Sequence, residues 1–105
     1  MEIQITSRHN KASQSLQDTI TDELQKVGKY FDKITSCHVI LDSEHVEKTA
    51  EITMSTLGHQ VVATAKAENI GKAFDDALAK AERQLKKLNA KIKNHKTPPV
   101  KTAVS

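Results

Sequence analysis

The chain switches between two hydrophobic periods along its length, and the order of these periods limits the folds open to it. Apolar residues alternate with polar ones in four segments, which is the period of a half-buried β-strand. The four segments are residues 2–7, 34–41, 50–54 and 61–67. Two further segments space their apolar residues three or four apart, as an amphipathic helix does. The sequence therefore predicts the element order β-α-β-β-β-α.

Each predicted helix has one apolar face and one candidate cap. Helix one is predicted from about Gln14 to Tyr30, with Ser13 as its N-cap. Helix two is predicted to follow Asn69, a second candidate N-cap. The apolar positions are Leu16, Ile20, Leu24, Val27 and Phe31 in helix one, and Phe74, Leu78, Ala81, Leu85, Leu88 and Ile92 in helix two. Each helix therefore needs a partner surface that covers one face.

The connections predict how the strands pair. Residues 56–59, TLGH, indicate a glycine-containing hairpin turn, and residues 42–48, DSEHVEK, are interpreted as a polar connection. The hairpins make two pairs antiparallel, whereas the long connection through helix one makes the first pair parallel. Two helices are available to cover one apolar sheet face. We therefore predict an α+β two-layer sandwich: a four-stranded mixed sheet with both helices packed on one face.

A chain of 105 residues has room for one ordinary core. We predict a single domain over residues 1–95 and a flexible tail over residues 96–105, where two prolines and no apolar pattern occur. No apolar run approaches the length of a membrane span, and the single cysteine, Cys37, has no partner for an internal disulfide. We expect a cytoplasmic protein that does not contact a membrane.

The charges are divided between the two parts of the chain. Residues 80–105 hold eight Lys or Arg and one Glu, whereas residues 1–79 hold eight Lys or Arg and twelve Asp or Glu. At 100° per residue, four bases of helix two fall within an arc of about 80° beside the apolar stripe. These are Lys80, Arg83, Lys87 and Lys91, with Lys72, Lys86 and Lys93 next to them. A face that sorts its charges in this way favours a polyanionic partner.

Helix one adds bases at its C-terminal end, Lys26 and Lys29, followed by Lys33. Because both helices are predicted on one sheet face, the two basic groups are expected to line one groove. Both phenylalanines belong to the apolar stripes, so the sequence indicates no stacking platform for bases. The remaining modes of recognition are contact with phosphates and recognition of shape. These favour structured RNA as the partner over a specific DNA sequence.

The sequence gives little support to catalysis. The five histidines are scattered without metal-ligand spacing, and no phosphate-binding glycine loop is present. Cys37 lies on an apolar strand face, where a buried hydrophobic role is favoured over a nucleophile. We expect no enzymatic activity, no metal site and no cofactor. A membrane-surface or partner-docking role for helix two is disfavoured because the sheet needs its apolar stripe.

Two segments carry a resemblance to a known family. These are VGKYFDKI at residues 27–34 and AFDDALAKAERQLKKLNAKIK at residues 73–93. Together with the element order, they resemble the short ribosome hibernation promoting factor and ribosome-associated inhibitor family, also called the sigma-54 modulation protein family. The resemblance covers residues 1 to about 95. The matching positions are Tyr30, Phe31, Asp32, Ala73, Phe74, Asp75, Lys80, Arg83, Gln84, Leu85, Lys87, Lys91 and Lys93.

The resemblance implies a function. Members of the family bind the small ribosomal subunit in the channel between head and body, in place of messenger RNA and the A-site and P-site transfer RNAs, and silence translation in stationary phase or stress. It assigns contact with ribosomal RNA to the basic helix face and implies a chain that is monomeric off the ribosome. The implied RNA-binding residues are Lys26, Lys29, Lys80, Arg83, Lys86, Lys87, Lys91 and Lys93.

Departures from the family pattern bear on the subtype. Leu88 and Asn89 stand where some members have histidine and lysine, respectively, which implies weaker or shifted contacts there. The inhibitor type carries an acidic C-terminal extension, whereas residues 96–105 contain no acid, so we expect the type that promotes inactive ribosome dimers. The alternative is a generic module for structured RNA without ribosome specificity.

Overall fold

The structure, a computed structural model, describes residues 1–9, 12–31, 33–44 and 46–93, except the side chains of residues 44 and 91–93. The elements are β1 (Glu2–Arg8), α1 (Gln14–Tyr30), β2 (Ile34–Glu44), β3 (Glu47–Thr56), β4 (His59–Ala67) and α2 (Ile70–Lys93). The predicted order is confirmed. The tail predicted over residues 96–105 and the domain end predicted at residue 95 lie outside the described residues.

The four strands form one mixed sheet in the order β1-β2-β3-β4. β1 pairs with β2 in parallel, with Ile3 opposite Cys37, and the other two pairs are antiparallel. The helical crossover through α1 allows the parallel pair, as the sequence predicts. β1 and β4 are the two edge strands, so the strand order determines which edge lies beside each helix.

The two hairpins differ from one another in how well the sequence predicts them. Leu57 and Gly58 both have positive φ, +50° and +78°, as a two-residue turn of type I′ requires. The polar connection predicted over residues 42–48 is wrong, because β2 and β3 stay paired as far as Glu44 opposite Glu47. Pairing continues past the last apolar pair, Leu41 and Ala50, through residues that are polar on both faces. Alternation of hydrophobicity cannot reveal such a strand.

The core lies between the sheet and the two helices. α1 buries Ile20, Leu24 and Val27, and these side chains join one cluster with the inward-facing residues of the sheet and of α2. The sheet contributes Ile34, Cys37, Val39, Leu41, Ala50, Ile52, Met54, Val61, Ala63 and Ala65 to this cluster. The predicted two-layer sandwich with both helices on one face is confirmed.

Both predicted helix caps are present. The Ser13 hydroxyl accepts a hydrogen bond from the Leu16 backbone N–H at 3.1 Å, and the Asn69 side-chain oxygen accepts one from Lys72 N–H at 2.8 Å. Each cap satisfies one of the N–H groups that a helix leaves unpaired at its start.

Small residues line the buried face of α2. Ala73, Ala77 and Ala81 are all fully buried, and Phe74 and Leu85 fill the larger spaces between them. Because alanine adds one methyl group to the backbone, the axis of α2 lies close to the sheet. This close approach positions the polar side chains that flank the buried face.

Candidate nucleic-acid interface

α2 packs chiefly across β4 and β3, with α1 over the β1 side of the sheet. The short link from Ala67 to Ile70 sends α2 back along β4 in the opposite direction. The C-terminal half of α2, where the predicted RNA-binding bases lie, therefore sits over the start of β4.

Two side chains of α2 reach the backbone of β4. Lys80 Nζ donates a hydrogen bond to the carbonyl oxygen of Thr64 at 3.0 Å, and Gln84 Nε2 donates one to that of Val62 at 2.8 Å. An edge strand presents backbone groups that no neighbouring strand satisfies. Lys80 and Gln84 satisfy two of them and hold the flank of α2 against the sheet edge.

Three further bases of α2 face solvent on or beside that flank. Arg83, Lys86 and Lys87 are exposed, and none of them makes a hydrogen bond or ion pair with a residue that the structure describes. A shallow depression of about 290 Å³ separates the start of β4 from α2. It is lined by His59, Gln60, Val61, Gln84, Lys87 and Leu88. We call Lys80, Arg83, Lys86 and Lys87 the α2 basic strip.

The bases of α1 lie elsewhere. Lys29 lines a depression together with Met1 and Ile3 at the start of β1, and Lys26 is exposed and 3.5 Å from Glu23. β1 and β4 are separated by three inter-strand spacings, about 14 Å. The α2 basic strip follows the β4 edge and Lys29 lies towards β1, while Lys33 lines a depression with His59 and Gln60. That the two basic groups line one groove stays a prediction.

The spacing of four residues between Asp76 and Lys80 would allow an ion pair, but the described residues form none there. Asp76 lies 4.0 Å from Lys72, while Lys80 is directed to the Thr64 carbonyl. The backbone of Lys91 and Lys93 belongs to α2, but their side chains are outside the description. Their assignment to RNA binding stays a prediction.

The described residues include no arrangement that suggests catalysis. Burial raises the pKa of the Cys37 thiol to about 12, so this group is protonated at neutral pH. His9 pairs with Asp42 at 2.7 Å, and His38 with the Thr6 hydroxyl at 3.0 Å. Within the described ranges, no group of three His, Cys, Asp or Glu side chains is placed to hold a metal ion, and no helix has the length and apolarity of a membrane span.

Two exposed residues, one on α2 and one at the end of α1, receive no role from their sequence pattern. Gln84 carries no charge, so charge sorting does not select it, although its position four residues after Lys80 places both side chains on one flank. Tyr30 has a 74% exposed side chain at the end of α1, where no stacking platform is expected.

Comparison with known proteins identifies the family. The family described as Sigma 54 modulation protein / S30EA ribosomal protein matches residues 3–93. The chain belongs to this family. The match includes both segments that carry the resemblance and all six elements of the fold.

Relatives within the family have known names. The ribosome hibernation promoting factor of Pseudomonas putida is 37% identical over 83% of this chain and 85% of its own length. The factor of the same name from Escherichia coli (strain K12) is 30% identical over 90% of this chain and 100% of its own.

Solved structures share the fold. A ribosomal subunit interface protein from Coxiella burnetii superposes with a TM-score of 0.80 at 26% identity, covering 86% of this chain and 99% of that one. The N-terminal domain of Protein Y from Thermus thermophilus superposes with a TM-score of 0.75 at 22% identity, covering 84% of this chain and 99% of that one. The second likeness bears on the fold alone.

Proposed function

We propose that this chain is a ribosome hibernation factor that binds the small ribosomal subunit in the channel for messenger RNA and the A-site and P-site transfer RNAs. Binding there competes with messenger RNA and transfer RNA and inhibits translation. The chain is monomeric before it binds and acts in the cytoplasm, where ribosomes are. Its relatives are named for the promotion of ribosome hibernation, and we infer that this chain acts in that way by promoting inactive ribosome dimers.

The observation that carries this proposal is the α2 basic strip. Arg83, Lys86 and Lys87 are exposed on a rigid helix and are not neutralised by an acid that the structure describes. Cations held in this way release condensed counterions when they meet phosphates, which provides affinity for RNA without reading its bases. Family membership then selects ribosomal RNA among the possible polyanions.

The mechanism is occlusion and requires no reaction. The sheet and the two helices form one packed core, so the domain enters a channel as a rigid body. Phosphate contacts along α2 hold it there, and its volume excludes a transfer RNA from the same space. No proton transfer, nucleophile or metal ion is needed for this effect.

The experiment is co-sedimentation of the purified protein with small subunits, large subunits and whole ribosomes at two salt concentrations, with and without excess transfer RNA. We expect binding to small subunits and whole ribosomes, and its loss when transfer RNA fills the sites. Binding to any RNA without subunit preference would contradict the proposal and leave the generic RNA module.

A charge-reversal variant tests the interface. In Arg83→Glu/Lys87→Glu, both sites are exposed and outside the core, so the fold is retained. We expect weaker subunit binding and a slope of log K against log salt that is lower by about 1.5, from roughly 0.7–0.9 per phosphate contact.

The matched control is Arg8→Glu/Lys66→Glu. It makes the same change of net charge on the solvent face of the sheet, which the helices do not cover, although it also removes the Lys66–Glu47 ion pair. We expect this control to keep the salt slope of the parent. If both double variants lose the same affinity, overall charge and not the α2 basic strip determines binding.

A further inference from the structure

We propose that Tyr30 is a base-stacking residue, which receives one unpaired base of the bound RNA on its ring. This inference rests on the proposed function and adds to it a contact of a different chemistry. The α2 basic strip supplies phosphate contacts, whereas an aromatic ring interacts with the flat face of a base.

The exposure of Tyr30 is the first observation. Its side chain is 74% exposed, while Phe31, the next residue, is 5% exposed and belongs to the core. Phe74, the other aromatic residue of the chain, is 1% exposed. The fold thus buries both phenylalanines and leaves the tyrosine ring in solvent.

The orientation of the ring is the second observation. The rings of Tyr30 and Phe31 meet edge to face, with centroids 4.7 Å apart and planes at 87°. An edge-to-face contact covers at most one face of a ring, so at least one face of Tyr30 remains open to a base. Because Phe31 is anchored in the core, the contact also restricts the motion of the Tyr30 ring, which lowers the entropy lost when a base stacks on it.

The third observation is the charge around the ring. Lys26 precedes Tyr30 by one helical turn, and Lys29 and Lys33 flank it in the chain, all three with exposed side chains. Two acids are near in the sequence, Glu23 and Asp32, and Glu23 lies 3.5 Å from Lys26. The excess of positive charge attracts an RNA backbone to the end of α1, so that a base of the same strand reaches the ring.

Stacking and phosphate contact respond differently to salt, and this difference makes the inference testable. Stacking releases no counterions, so loss of the ring should weaken binding equally at every salt concentration. Loss of a base such as Arg83 should instead lower the slope of log K against log salt.

Three substitutions of Tyr30 distinguish the contribution of the aromatic ring to binding from the contributions of the hydroxyl group and of apolar volume. On purified small subunits, Tyr30→Phe is expected to bind like the parent, because it keeps the ring. Tyr30→Ala is expected to bind about five- to 150-fold more weakly, which converts the roughly 1–3 kcal/mol known per stacked base. Tyr30→Leu, which keeps apolar bulk without a ring, should lose most of the same affinity, and all three should keep the salt slope of the parent.

Tyr30 also supplies its own spectroscopic readout. It is the single tyrosine of a chain that has no tryptophan, so intrinsic fluorescence reports on this ring alone. On titration with deproteinised small-subunit ribosomal RNA, we expect quenching beyond that of free N-acetyltyrosinamide at the same RNA absorbance. Thermal melts of each variant verify that the folded state persists at the assay temperature.

The inference and the proposed function fail in distinguishable ways. If Tyr30→Leu binds the subunit as tightly as the parent while Arg83→Glu/Lys87→Glu does not bind, the stacking role is refuted and the proposed function stands. If the salt slope falls in Tyr30→Leu as it does in the charge variant, the effect is electrostatic and stacking is again refuted.

Discussion

Removal of the two side chains that reach β4 should destabilise the protein measurably and leave a strand edge unprotected. The perturbation is the double substitution Lys80→Ala/Gln84→Ala, which deletes the donors to the Thr64 and Val62 carbonyls. A hydrogen bond contributes about 0.5–1.5 kcal/mol net, and exposed bonds lie at the lower end because water replaces them. The two bonds together therefore contribute about 1 kcal/mol.

Alanine partly offsets this loss. It has the highest helix propensity, which returns a few tenths of a kcal/mol at two exposed positions of α2. The net loss is then about 0.5–1 kcal/mol, or a melting temperature lower by roughly 2–8 °C for a domain of this size. Circular dichroism melts and urea unfolding measure both quantities.

The same variant tests edge protection. Unsatisfied carbonyls on an edge strand are a template for another chain, so the variant should associate as its concentration rises, as measured by light scattering. Lys86→Ala is the matched control, because it removes an exposed lysine of α2 that makes no bond to a described residue. If the double variant melts like Lys86→Ala and stays monodisperse, the two bonds contribute nothing and core packing alone fixes the rotation of α2.

Three further substitutions test local features of the fold. Ser13→Ala removes the acceptor for Leu16 N–H, and chemical denaturation should show a loss of about 1 kcal/mol; Ser13→Asn should retain the parent stability. Gly58→Ala places a side chain at φ +78° with open space around it, so only backbone strain opposes it. Unfolding should cost about 1 kcal/mol less, and an unchanged midpoint would contradict this turn geometry. Because burial raises the pKa of Cys37 from 9.0 to about 12, folded stability should be complete below pH 9 and decline as the pH rises towards 12. Cys37→Ala should lack this decline, and rapid thiol labelling of the folded parent at pH 8 would refute the burial argument.

Hydrophobic periodicity predicts most of the fold because each buried face of a helix or strand requires apolar residues at a regular spacing in the sequence. Ser13 and Asn69 are identified in advance by their side-chain chemistry, and both act as caps. The part of the β2–β3 hairpin next to its turn has no such spacing of apolar residues. Ser43 and Lys48 are polar, although they continue the inward-facing series of the two strands. Local pairing without burial is therefore the part of the sheet that sequence reasoning misses.

The site shows a similar limit. Angles around a helix axis correctly group Lys80 with Arg83 and Lys87, since those angles depend on sequence spacing alone. They do not specify which neighbour lies on each side of the helix, because that depends on the strand order. With β4 at the sheet edge, the flank that holds Lys80 faces backbone carbonyls of that strand.

The three buried alanines of α2 make the interface depend on side chains that never touch its ligand. Ala73, Ala77 and Ala81 occupy almost no volume between the helix axis and the sheet. Any larger residue there would lift α2, and Lys80 and Gln84 would then lose reach to the β4 backbone together. The direction of these cations therefore depends on the small size of the alanines beneath them, and under the proposed function we expect a larger core residue to change the affinity for RNA.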